Sequence, residues 1–264
     1  MRINKDNISD SDKELAVSIL NKLRAGNRVI GNPAEGLKKT LRELDSKLKE
    51  SQKTGPLSFK VSNKDLIGQI RLLKAGINGE ETLADYIEKL IKHNPKLDGL
   101  IVFASLSSEQ EDDNLDYIPD TDFVAVYGNN ILILDAKNIV TSPDIPIYID
   151  ENVLKNPSKE LIELHPSTYV WENIFKKTKT NIDSIDGCCV IINKNGALIL
   201  KNKEWYSSPC RPIFIGDLNE FLENWIKNKD NTVSLKLLTE IAKTQSKSFF
   251  KKIKKILDKK QNIY

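Results

Sequence analysis

Residues 121–137, Thr-Asp-Phe-Val-Ala-Val-Tyr-Gly-Asn-Asn-Ile-Leu-Ile-Leu-Asp-Ala-Lys, constrain this chain most, because they set three charges into two apolar, strand-like runs. Asp122 opens the first run; Asp135 and Lys137 close the second. Burying such groups without partners costs several kcal/mol each. A strand interior offers no reason for them unless they act on something. Strand side chains alternate faces, so Asp135 and Lys137 point the same way, two rises of about 3.3 Å apart. Asp122, Val124 and Val126 share one face, as do Ile131, Ile133, Asp135 and Lys137. Gly128-Asn129-Asn130 reads as the turn of a hairpin. One folded hairpin therefore presents both acids and the lysine as a cluster at one end of a sheet face.

A third acid belongs with them. Glu80 lies three, four and seven residues before Leu83, Ala84 and Ile87, on the core side of a helix expected over Glu80 to Lys92. Glu81 is turned roughly 100° away. At a helix start Glu80 is also favoured by the helix dipole, by a few tenths to about 1 kcal/mol. Three carboxylates at close range repel one another and burial raises their pKa values, a conflict that a hard divalent cation removes. Mg²⁺ or Mn²⁺ there polarises a scissile phosphate and supplies a bound hydroxide, with a lysine to orient or deprotonate the water or to offset charge on phosphorus.

Around this hairpin the chain reads as three parts. Residues 1–55 are expected to form an N-terminal helical hairpin: a Ser11-x-x-Glu14 capping box leads Leu15, Ile19, Leu20 and Leu23, and a second stripe follows at Leu37, Leu41, Leu44 and Leu48. Residues 56–230 alternate helices and strands. Helices at 65–74 and 80–92 are separated by a break at Ala75-Gly-Ile-Asn-Gly79, and a second hairpin is expected around Lys194-Asn-Gly196. Pro143 and Pro146 point to an edge strand at 145–149. Residues 231–264 read as a basic C-terminal helix, with eight lysines between 243 and 260 against Asp258. That segment carries +7 of a formal net charge of +3, leaving about −4 elsewhere (3 − 7). Its lysines either track phosphates, face solvent or meet an anionic membrane, and the terminal helices offer surfaces for dimerisation or a protein partner.

Other chemistries find little support. His93 and His165 are far apart in unrelated contexts, and no G-x-x-x-x-G-K-[ST] phosphate loop occurs. The acidic stretch Glu109 to Asp113 with Asp116 and Asp120 reads as a solvated loop, and the register favours Asp122 over Asp120 as a ligand. Cys188 and Cys189 read as reduced core residues. No apolar run approaches the roughly 18 residues of a membrane helix, and the N-terminus lacks a signal-peptide stretch, so a cytoplasmic protein without membrane contact is expected.

In Gly76-x-x-Gly79-Glu80, Asp122-Phe-Val-Ala-Val and Asn130-Ile-Leu-Ile-Leu-Asp135-Ala-Lys137-Asn138, the chain resembles the PD-(D/E)XK nuclease superfamily, and more closely its nuclease-related domain (NERD) family. The resemblance covers about residues 66 to 228. It implies an α/β, restriction-endonuclease-like core sheet flanked by helices, and Mg²⁺-dependent cleavage of DNA. Glu80, Asp122 and Asp135 would be the metal-binding acids and Lys137 the catalytic lysine. The chain departs from the family at His165-Pro166-Ser-Thr-Tyr169, where an N-P-x-x-Q stretch usually stands; Glu172 and Asn173 are the nearest substitutes. That departure leaves a second reading, a catalytically weak or inactive nuclease-fold module that binds nucleic acid or protein.

Overall fold

In this computed structural model the chain combines strands and helices in an α/β fold. The structure describes residues 1–4, 8–53, 59–106, 121–139, 147–150, 153–155, 161–163, 168–192, 198–200 and 210–244. In order the elements are β1 (Arg2–Asn4), α1 (Lys13–Arg24), β2 (Val29–Ile30), α2 (Glu35–Lys53), α3 (Phe59–His93), β3 (Ile101–Leu106), β4 (Thr121–Tyr127) and β5 (Asn130–Lys137). Then come β6 (Ile147–Asp150), β7 (Val153–Lys155), β8 (Leu161–Glu163), α4 (Thr168–Thr178), β9 (Ser184–Ile191), β10 (Leu198–Leu200), β11 (Cys210–Phe214), α5 (Leu218–Ile226), β12 (Thr232–Ser234) and α6 (Leu235–Lys243).

The expected hairpin of residues 121–137 forms the centre of a six-stranded mixed sheet, ordered β11–β9–β5–β4–β3–β2. β4 and β5 pair antiparallel, with Val124 opposite Ile133 and Val126 opposite Ile131. β9 runs parallel to both β5 and β11. Alternation sorts the apolar side chains into two cores. Phe123, Ala125, Leu132 and Leu134 pack with Leu83, Ala84 and Ile87 of α3 and Leu218 and Leu222 of α5. Val124, Val126, Ile131 and Ile133 pack on the other face with Ile19 of α1, Trp171 and Phe175 of α4, and Leu238 and Ile241 of α6. A sheet covered on both faces explains why its central strands are continuous apolar runs rather than alternating ones.

Four expectations are corrected. α3 runs unbroken through Ala75–Gly79 as a 35-residue helix; close packing at its glycines outweighs their helix cost of about 1 kcal/mol each. α1 and α2 do not form a hairpin of their own: α1 packs on α6, α2 on α3, and β2 between them extends the main sheet. Residues 188–201 are not a hairpin either, because β9 is enclosed in the main sheet while β10 pairs with β6 in a separate four-stranded sheet, β10–β6–β7–β8. In that sheet β6 lies inside rather than at an edge. The acidic loop at 109–120, His165-Pro166 and the lysines beyond 244 lie outside the described residues. Among the described residues no helix is long and apolar enough to cross a membrane.

Candidate active site

The end of the β4–β5 hairpin brings the four sequence-predicted residues into one electrostatic neighbourhood. Asp122 sits where the ladder stops, one residue before the Phe123–Leu134 pair. Its Oδ2 accepts the backbone N–H of Ala136 at 2.8 Å, so the side chain takes over as the strands part. Lys137 Nζ reaches Asp135 Oδ2 at 2.8 Å, and the two side chains keep 24% and 17% of their surface exposed. They are the opening of the cluster to solvent. In β9 the buried Cys189 stands in register with Asp135, its Sγ 3.7 Å from Asp135 Oδ2.

Glu80 approaches from α3, and it is buried. It lies more than twenty residues into the helix, so the helix-start explanation for its placement does not hold. Its Oε2 accepts the backbone N–H of Ala34 at 2.8 Å. Ala34 has φ +57°, and the segment around it is fastened by Ser105, whose Oγ donates to Asn32 O at 2.8 Å and accepts from Glu35 N at 3.2 Å. Ser105 has φ +53° and occupies the skipped position between the Ala104–Phe123 and Leu106–Thr121 pairs, alongside Asp122. The site thus includes backbone groups of residues 32–35.

The G-x-x-G-E motif has a packing cause here. A Cβ at Gly76 would meet Leu37 Cδ1 at 3.0 Å, and one at Gly79 would meet Asn138 Cβ at 2.9 Å. Asn138 Nδ2 also donates to Ala75 O at 2.7 Å, pinning α3 to the end of β5. Close helix–strand approach is what carries Glu80 to the hairpin. Gly79→Ala should push these elements apart, costing about 1–3 kcal/mol of stability and, through displacement of Glu80, about 10²-fold in any activity of the site. Thermal denaturation and a rate measured well below the melting temperature check both numbers.

Charge repulsion in the cluster is real. Burial first, then the negative charges of Glu80 and Asp135, push the Asp122 carboxyl well above the ordinary carboxylate range, against the pull of Lys137 and of the Ala136 N–H. For Lys137 burial opposes the charge, yet Asp135 and Asp122 outweigh it and hold the ammonium above the usual lysine range. Folded Asp122 therefore binds its proton more tightly than the unfolded chain does. That contribution to stability is complete below about pH 3.9 and is lost as pH rises through the raised value. Asp122→Asn, which keeps an acceptor for Ala136, should raise the metal-free melting temperature at neutral and alkaline pH and give no gain in acid. A variant less stable at every pH would contradict the repulsion.

For metal binding, donor chemistry and donor number differ. Among the described residues no three His, Cys, Asp or Glu side chains converge closely enough to hold an ion as a ready cage. Two acids, Asp122 and Asp135, fit the one or two carboxylates that Mg²⁺ takes from a protein, with waters and phosphate oxygens completing its octahedron. Glu80, expected as a third ligand, has one oxygen held by Ala34 and acts on Asp122 through charge. Glu172 ion-pairs with Lys176 on its own helix at 3.8 Å. The groups not foreseen are the Ala34 and Ala136 amides, Ser105 and Cys189; only Asn138, directly after Lys137, carried a sequence signal. Comparisons with protein-family models, with curated proteins and with solved structures find no match to this chain.

Proposed function

We propose that this protein is a metal-dependent phosphodiesterase acting on DNA, built on a restriction-endonuclease-like variant of the α/β fold. The observation that carries the reading is the half-buried Asp122 carboxyl in the field of Glu80 and Asp135, with Lys137 at the same strand end. Such mutual repulsion has no value to a fold alone. A bound Mg²⁺ or Mn²⁺ would lower the charge on a phosphodiester and acidify a water. Asp122 and Asp135 would hold it, and Glu80 would keep the local field negative. Lys137, an ammonium in this state, would donate to a phosphate oxygen as charge builds up on phosphorus. That assignment favours charge stabilisation over proton abstraction for this lysine.

The second reading, an inactive nuclease-fold module, draws support from the Lys137–Asp135 ion pair and from the hold of Ala34 on Glu80, which together satisfy much of the cluster without a metal. Two measurements separate the readings. The enzyme predicts saturable Mg²⁺ or Mn²⁺ binding by calorimetry and metal-dependent nicking of plasmid DNA, both lost in Asp135→Ala. No saturable binding at neutral pH would favour the module.

A further inference from the structure

We propose that the outward face of α2 is a phosphate-tracking surface that leads a DNA backbone to the opening at Asp135 and Lys137, an assignment that rests on the nuclease reading. The charged side chains of α2 that stand exposed between residues 35 and 50 are Lys39, Arg42, Lys47, Lys49 and Glu50, four cations to one carboxylate, while Glu35, Glu43 and Asp45 are half-buried. Thr40 and Leu44 are buried, and Leu37 meets α3 at Gly76. Helical spacing puts Lys39, Arg42 and Lys49 on the side opposite that seam. Lys38 Nζ holds Glu81 of α3 at 2.6 Å and fixes the rotation of α2 about its axis.

The direction of that face follows from α3, which uses one stripe for two neighbours. Ile70 and Ile77 lie on the same side of the helix as Ala84, Ile87 and Ile91, which pack on the sheet. Hence α2 and the sheet lie on the same side of α3. A cationic stripe turned away from α3 is then presented toward the sheet face remote from α3. That is the face of Val124 and Ile133, to which alternation assigns Asp122, Asp135 and Lys137. A polyanion crossing the opening would meet these cations in line. Arg71 and Lys89, also exposed, stand about five helical turns apart on the far side of α3 and lie off that line.

The test is a pair of charge reversals in the full chain carrying Asp135→Ala, without metal. Anisotropy of a short labelled duplex, and of one of its strands alone, is followed across a salt titration. Lys39→Glu/Arg42→Glu/Lys49→Glu should weaken binding at least about tenfold at low salt and flatten the slope of log K against log salt by about 2–3, near 0.9 for each lost phosphate contact on a duplex. Arg71→Glu/Lys89→Glu should change both little. Unchanged affinity in the first variant, equal loss in both, or no DNA binding by the background chain would overturn the assignment, the last leaving α2 to a protein partner. With Asp135 restored, hydrolysis of bis-nitrophenyl phosphate, too small to reach α2, reports the chemistry separately. The first variant should hydrolyse it at the wild-type rate. A wild type that binds DNA through α2 yet hydrolyses nothing would end the nuclease reading and spare the surface.

Discussion

Asp135→Ala is expected to lower the metal-dependent rate of DNA cleavage by at least about 10³-fold, equivalent to about 4 kcal/mol of lost transition-state stabilisation. Lys137→Ala should cost about 10²–10³-fold, the range found when one preorganised donor is removed. Both side chains are partly exposed at the rim, so neither loss should unfold the chain. The two variants should fail differently. Without Asp135 the cluster has one fewer oxygen donor for the cation and Lys137 loses its 2.8 Å partner, so metal affinity should fall with the rate. Without Lys137 the acids repel one another with less relief, so metal binding should persist or tighten while turnover is lost. Calorimetry beside single-turnover nicking distinguishes these patterns. Cleavage by both variants at the wild-type rate would mean that the activity resides elsewhere or in a contaminant.

The hairpin was legible from sequence because strand alternation is strict: once two apolar runs flank Gly128-Asn129-Asn130, the shared face of Asp122, Asp135 and Lys137 follows. Convergence of Glu80 was legible only as a helix face, and the reason given for it was incorrect. Gly76 and Gly79 carry the local signature of a break, yet their missing side chains let α3 lie against Leu37 and Asn138. Local propensity cannot reveal a contact made with residues 39 and 59 positions away (76 − 37 and 138 − 79). The same limit hid the backbone donors. Alanine and serine carry no sign of left-handed geometry, so Ala34 and Ser105 gave no hint of their role. Cys189 came into view only when parallel pairing set it beside Asp135. The separate N-terminal hairpin was wrong for a related reason: amphipathic stripes state that α1 and α2 need partners, but not which.

Gly128→Ala should produce the largest loss of stability. Gly128 has φ +58°, and a Cβ there would collide with the carbonyl oxygen of Asp230 and stand 3.1 Å from its carbon. The left-handed backbone alone costs an L-residue about 1–2 kcal/mol. The clash is with main chain, so no rotamer change relieves it. Residues 230–232 have little room to retreat, because β12 pairs with β1 through Thr232 and Arg2. Neighbouring Asn129 grips the turn from both sides, its carbonyl accepting Asp183 N at 2.9 Å and its side chain Ser234 N at 3.3 Å. Overpacking adds about 1–3 kcal/mol, for a total of about 3 kcal/mol or more and a melting temperature lowered by about 6–12 °C at 2–4 °C per kcal/mol. Two glycines calibrate the result. Gly26→Ala meets no atom within 4 Å and carries only the cost of φ +87°, and Gly216→Ala meets neither a neighbour nor a positive φ. The expected order of destabilisation is therefore Gly128, Gly26, Gly216, and equal losses at Gly26 and Gly128 would mean that the turn moves freely off residues 230–232. The turn is also the end of the hairpin remote from Asp135 and Lys137. Folded Gly128→Ala molecules should thus cleave at close to the wild-type rate, whereas folded Gly79→Ala molecules should not.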